Sequence, residues 1–197
     1  MDALPSRPSL RALREAAAGC TGCDLYRYAT QTVFGEGKAR ARLMFVGEQP
    51  GDTEDRLGHP FVGPAGKLLH GAMQDAGLDP RDAYITNAVK HFKFVQRGKR
   101  RIHAKPKRIE IDACRPWLAA EIRVVKPEIV VALGATAAQS LLGSAFRLTK
   151  HRGEFFACDI AERVTATVHP ASILRAPDDD ARRRELASLV RDLERLR

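Results

Sequence analysis

The sequence predicts an α/β fold: a three-layer α/β/α sandwich on a central, mainly parallel four-stranded sheet. Two observations carry that expectation. Four short apolar runs are flanked by turn residues, as in strands buried on both faces. Segments with helical spacing lie between them, and strand, helix, strand in that order implies parallel pairing through right-handed crossovers. With 197 residues, 44% of them hydrophobic, the chain can bury a proper core, so residues 1–197 are expected to form one domain.

The elements follow in order. The N-terminal segment, about residues 1–30, begins MDALPSRPSLRALREAAAGC and lacks the continuous apolar run of a signal peptide. Strands are expected at ARLMFVG (41–47), AYIT (83–86), EIVVALG (128–134) and RVTATVH (163–169). Helices fit GKLLHGAMQDAGL after the first strand, KRIEIDACRPWLAAEIRVV before the third, and ATAAQSLLG after it, with a glycine stop. The last segment carries Leu186, Leu189, Val190, Leu193 and Leu196 at helical spacing behind an acidic start, so it should dock as an amphipathic helix. No segment approaches the roughly 20 apolar residues that span a bilayer, so a cytoplasmic protein without a membrane partner is expected, acting as a monomer.

A net charge of +9 points to a polyanionic partner, with nucleic acid foremost. Four cysteines without a secretory signal leave metal ligation, redox chemistry or burial rather than a disulfide framework. In open parallel sheets ligands bind at the carboxyl ends of the strands. The first strand runs into GEQPGDTEDRLGHPFVGPAGK, a glycine- and proline-rich turn that places Glu48, Gln49 and Asp52 at that rim. GPAGK is not a phosphate loop, because it lacks the first glycine and has Leu68 where Ser or Thr should follow the lysine. No GxGxxG fingerprint occurs either, which argues against a nucleotide cofactor.

GEQPGDTEDRLGHPFVGPAG, ITNAVK and HPASILR, in this order, resemble the motifs of the uracil-DNA glycosylase superfamily, specifically its iron-sulfur family 4 and the UdgX branch. The resemblance covers about Cys20 to Arg175 and implies a fold that flips uracil out of DNA and cleaves its N-glycosidic bond. By position it implies that Phe61 stacks on the base, Asn87 reads its Watson–Crick edge and His169 sits by the uracil carbonyl. The residue types suit that chemistry. An asparagine amide offers both a donor and an acceptor to the carbonyl and imide N–H of uracil. Bond breakage puts negative charge on the base and positive charge on the sugar, so donors are needed on one side and an anion on the other, roles open to His169 and Glu48.

The departures from the family 4 pattern are informative. After ITNAVK the family continues with Cys-Arg-Pro, whereas here His91 takes the cysteine position and a longer segment follows. It contains GKRRIH, which looks like the characteristic loop of the UdgX branch, where a histidine attacks C1′ of the deoxyribose after uracil leaves and joins protein to DNA. His103 is the matching residue. From Lys93 to Arg108 eight of sixteen residues are Lys or Arg and none is acidic, so this basic loop, about 93–108, should embrace phosphates. Its charge disfavours an imidazolium, whereas Glu48 opposite would orient the ring and stabilise the charge formed on attack. Arg100 and Arg101 are expected to grip DNA or brace the loop. Lys90, Ser172 and Arg175 flank the expected pocket as phosphate contacts.

Cys20-x2-Cys23 is a metal-ligand spacing that needs two further ligands, for which Cys114 and His91 are candidates. By family position these four would hold a 4Fe-4S cluster of structural role. Two alternatives stay open: Cys158 could complete an all-cysteine site, or the metal could be tetrahedral zinc. The expected partner is uracil-containing DNA, preferably single-stranded because flipping costs least there. A glycosylase that uses water as nucleophile and turns over, and a non-catalytic nucleic-acid-binding protein of the same fold, are the rival readings.

Overall fold

The computed structural model describes residues 4–197, so the first three residues of the N-terminal segment lie outside the described residues. In chain order the elements are α1 (Leu10–Ala17), β1 (Glu36–Gly37), β2 (Leu43–Gly47), α2 (Asp52–Leu57), α3 (Pro64–Asp75) and β3 (Tyr84–Asn87). There follow β4 (Phe94–Arg97), β5 (Arg100–His103), α4 (Arg108–Val125), β6 (Ile129–Leu133) and α5 (Ala135–Leu142). The chain ends with α6 (Leu148–His151), β7 (Phe155–Cys158), β8 (Ala161–Thr167), α7 (Pro170–Leu174) and α8 (Asp179–Glu194).

The main sheet has the order β1-β3-β2-β6-β8-β7. Its centre, β3-β2-β6-β8, is parallel and consists of the four strands read from the sequence. Two antiparallel edges, β1 on β3 and β7 on β8, widen the expected four strands to six. These edges escaped the pattern because β1 is two residues long and β7 alternates between exposed and half-buried positions. The central strands read as continuous apolar runs because alternate residues feed different cores. Leu43 and Phe45 pack with α3, α7 and α8 on one face, whereas Met44 and Val46 pack with α4 and α5 on the other. A third cluster joins α1 and the N-terminal segment to α4 through Leu13, Ala17, Leu25, Phe34 and Trp117.

Two segments read as loops are regular. The acidic run after β2 forms α2, whose first turn carries Asp52, Glu54 and Asp55 against the positive end of the helix. The basic loop is a two-stranded hairpin, β4 and β5, turning at Gly98 with φ +56°, a conformation that favours glycine. It was illegible as a strand pair because its exposed residues show no apolar alternation.

Behind the C-terminal end of β3 lies a buried ion pair between Lys90 and Glu121 of α4, both essentially inaccessible to solvent. Glu121 also accepts from the Gly35 N–H (3.1 Å), the Tyr84 hydroxyl (2.9 Å) and the Thr86 hydroxyl (2.9 Å). Lys90 Nζ donates further to Thr86 Oγ1 and to the Asn87 carbonyl, each at 2.7 Å. Burial and the neighbouring Glu121 charge raise the Tyr84 phenol well above its ordinary pKa, so it stays a donor. Removing one partner of such a pair strands a charge in the core. Glu121→Leu and Lys90→Met are therefore each expected to lower stability by about 3–5 kcal/mol, and the two combined by less than the two single changes summed. Urea denaturation of the four proteins checks this; additive losses would show that the pair is not coupled.

Candidate active site

The carboxyl ends of β2, β3, β6 and β8 open into one cavity of about 690 Å³. Glu48, Gln49, Phe61, Asn87, His103, His169 and Arg175 all line it. Seven residues separated widely in sequence thus meet where the strand-end rule places them.

Gly47 closes β2, and a Cβ there would come within 2.3 Å of Asn87 Oδ1 and 2.6 Å of the Phe61 ring, so its lack of a side chain lets both residues approach. Phe61 sits at φ +54°, a costly region for a non-glycine residue. Its carbonyl lies where a Cβ on Gly66 would stand, so the glycine of the GPAG turn accommodates this conformation. Asn87 is buried, and its Oδ1 is an acceptor without a hydrogen-bond partner among the described residues. An orphaned buried acceptor facing a cavity is poised for a ligand donor.

His169 caps α7: its Nδ1 accepts the Ala171 N–H at 3.1 Å, so in the neutral ring Nε2 carries the proton. Desolvation lowers its pKa to about 4, outweighing the opposing pull of Glu48. The ring lies 6.0 Å, centroid to centroid, from Phe61. It is a neutral donor at pH 7.

Glu48 lies 3.3 Å from His103, Oε1 to Nε2. Burial pushes its pKa up, but hydrogen bonds with His103 and Thr136 leave it below the ordinary carboxylate value. The hairpin carrying His103 is held at two points. Gln49 Nε2 donates to the Lys93 and Ala104 carbonyls, each at 3.1 Å, and its Oε1 accepts the Lys93 N–H at 3.2 Å. Arg101 pairs with Asp52 and with Asp55 (2.7 Å), touches Thr30 Oγ1 and lies over the rings of Phe92 and Phe94.

These placements correct several sequence expectations. Lys90 cannot reach phosphate, because its ammonium is buried on Glu121. Of the two roles expected for Arg101, its guanidinium, committed to two carboxylates, takes that of bracing the hairpin. Asp52 points to Arg56 and Arg101 and does not line the cavity. Ser172 lies exposed beside the cavity, its hydroxyl bound to the His169 carbonyl at 2.7 Å. Arg100 and Arg175 are exposed. Glu54 was missed: its carboxylate accepts the Gly51 N–H (3.1 Å) and the Gly63 N–H (2.7 Å), tying together the two turns that carry Glu48 and Phe61. A carboxylate at the third position of a helix is the capping signal that could have found it.

Cys20, Cys23 and Cys114 lie in the cluster beneath α1, whereas Cys158, at the end of β7, is half-buried against the separate cluster that holds Met44 and Val46. Each of the three sulfurs accepts an N–H: Cys20 from Trp117 Nε1 (3.3 Å), Cys114 from Lys90 N (3.3 Å) and Cys23 from the Leu25 backbone. Such donors suit thiolate ligation. Thr32 Oγ1 donates to the Ala17 carbonyl and so accepts from His91 Nε2, which leaves His91 Nδ1 as the free ring nitrogen. Among the described residues no group of three such side chains converges as a preformed metal site.

The His169 shift has a stability consequence. Between about pH 6.5, where an unperturbed imidazole titrates, and about 4, the unfolded chain binds a proton that the folded chain does not. This contribution therefore falls as pH drops through that window and levels below it, by at most about 3 kcal/mol. His169→Asn should flatten the acid limb of stability, measured as the urea midpoint at pH 7 and 4.5; an unchanged limb would place the titration elsewhere.

The sequence model of the uracil DNA glycosylase superfamily matches residues 34–194. The chain is 37% identical over 170 residues to a type-4 uracil-DNA glycosylase of Thermotoga maritima, covering 86% of this chain and 85% of that protein. It is 38% identical over 178 residues to the type-4 uracil-DNA glycosylase of Sulfurisphaera tokodaii, covering 86% and 78%. To a type-5 uracil-DNA glycosylase of Pyrobaculum aerophilum it is 31% identical over 172 residues, covering 76% and 72%. The family match and these relatives, together with a parallel sheet whose strand ends converge on one cavity, show that this chain belongs to the uracil-DNA glycosylase superfamily.

Proposed function

We propose that the chain excises uracil from DNA and, in the manner of the UdgX branch, ends joined through His103 to C1′ of the abasic deoxyribose. The observation that carries this reading is His103 beside Glu48 at the rim of the cavity that holds Asn87, Phe61 and His169. An extruded uracil stacks on Phe61. The orphaned Asn87 Oδ1 accepts its imide N–H, and the amide Nδ2 donates to a ring carbonyl. As the N-glycosidic bond breaks, its electron pair passes to the uracil ring, where the His169 Nε2–H donates to the growing negative charge. The Glu48 carboxylate faces the positive sugar. The imidazole lone pair of His103 then forms the bond to C1′, and the ring's remaining N–H proton is shared with Glu48 or lost to solvent. Uracil leaves as its anion and is protonated by water. Arg175, exposed at the cavity, and Arg100, exposed on the hairpin, serve as phosphate contacts, with Ser172 at the rim.

Cys20, Cys23, Cys114 and His91 would hold a 4Fe-4S cluster, bonding through three thiolates and the free Nδ1; zinc is the alternative on ligand chemistry. Bound there, it would anchor the N-terminal segment to α4 and to the segment between β3 and the hairpin. Cys158, in a different cluster, is left out. The whole chain acts as one cytoplasmic, monomeric unit.

Two experiments test this reading. Mixed with a uracil-containing single-stranded oligonucleotide, the protein should give a band on a denaturing gel that survives heat and detergent, and none with thymine. Alkali-labile strand breaks at uracil without that band would make water the nucleophile, and intact uracil would remove catalysis altogether. His103→Ser should abolish the band; its persistence would take His103 out of the role. Secondly, protein purified without oxygen should carry iron and sulfide, lost in Cys114→Ser and kept in Cys158→Ser. Zinc in place of iron would overturn the cluster, and loss in Cys158→Ser would overturn the ligand set.

A further inference from the structure

The β4–β5 hairpin has two faces of opposite character. Register pairs Phe94 with His103 and Gln96 with Arg101, so these residues share one face, and Arg101 packs inward from it onto Asp52, Asp55 and the phenylalanine rings. The other face pairs Val95 with Ile102 and Arg97 with Arg100. Val95 is 53% and Ile102 37% exposed, and both arginines are exposed as well. A pair of aliphatic side chains on the solvent face of a two-stranded ribbon contributes nothing to the core beneath it; the hairpin is held instead by Arg101 on its inward face and by Gln49 at its base. Ile102 also lines the cavity, and exposed Lys105 stands beside it there, so the apolar pair is continuous with the cavity mouth.

We propose that this outer face is a platform for unpaired DNA bases flanking the flipped nucleotide, with the bases lying on Val95 and Ile102 and their phosphates on Arg97 and Arg100. The proposal rests on the functional reading above and extends it to strand preference. Apolar contact with a base face requires that base to be unstacked, which is free in a single strand and costs energy in a duplex. Charge complementarity selects the occupant: Arg97, Lys99, Arg100 and Lys105 surround the pair, and no acidic residue lies between Lys93 and Arg108. A second copy of the chain fits poorly, since a symmetric contact would set the Arg97–Arg100 pairs of two molecules against each other. Two aliphatic residues also fall far short of a stable protein–protein interface.

The test separates the platform from the chemistry by using a uracil-free strand. Affinity for a fluorescent single-stranded oligothymidine would be measured by anisotropy across a salt series, for the parent protein, Val95→Ser, Val95→Ile and Arg97→Ala. Val95→Ser should bind about five-fold more weakly with an unchanged salt slope, as expected for lost apolar contact, and Val95→Ile should restore binding. Arg97→Ala should instead lower the slope of log affinity against log salt by about 0.7, one phosphate on a single strand. The Val95→Ser deficit should vanish on a blunt duplex of the same composition, and the rate of adduct formation at saturating uracil oligonucleotide should match the parent. Unchanged affinity of Val95→Ser for oligothymidine overturns the platform, as does an equal deficit on duplex. Absence of adduct in the parent protein would count against the functional reading alone, because the oligothymidine arm needs no uracil chemistry.

Discussion

The site depends on a charge pair that water never reaches. Lys90 and Glu121 sit at the point where β3 ends, and burying them is tolerable only because nearly every donor and acceptor around them is used. The network joins four pieces of chain: Gly35 before β1, Tyr84, Thr86 and the Asn87 carbonyl on β3, Lys90 in the segment after it, and the middle of α4. Its geometric product is a fixed Asn87, whose side chain then faces the cavity with a free acceptor. The same lysine reaches the other side through its backbone N–H, which donates to Cys114. One residue therefore links the floor of the cavity to the cysteine cluster, although its side chain touches neither solvent nor ligand.

The rest of the cavity is held by turns whose freedom has been removed. Glu54 fastens two of them with one carboxylate, and Gly47 and Gly66 give the space in which Asn87, Phe61 and the strained Phe61 backbone fit. The hairpin is clamped by Gln49 at its base and by Arg101 along its inner face. A two-stranded ribbon is marginal by itself, so these clamps decide where His103 stands. On the proposed reading this arrangement matters because a nucleophile competing with water must already be in place when the glycosidic bond breaks.

Much of this was legible before any coordinates. The four central strands were readable because burial on both faces leaves a continuous apolar run, and α8 because its leucines recur at helical spacing behind an acidic start. The strand-end rule, applied to glycine-rich turns, brought Glu48, Gln49, Asn87 and His169 to one rim. Less legible were elements whose stability comes from partners far away in sequence. The hairpin has no apolar alternation because its inner face rests on Arg101 and two aspartates of α2. The edge strands are too short or too exposed to leave a pattern.

By itself the sequence determined the layer architecture, the identity of the strand-end turns and the excess of positive charge, since these follow from residue type and local period. It could not determine which charges are spent within the protein. Lys90 and Arg101 look like phosphate ligands in a basic chain, yet both are neutralised by carboxylates 31 to 49 positions away. Only tertiary structure decides such pairings, because an ion pair depends on distance and burial in three dimensions, and neither is encoded in the spacing of residues along the chain.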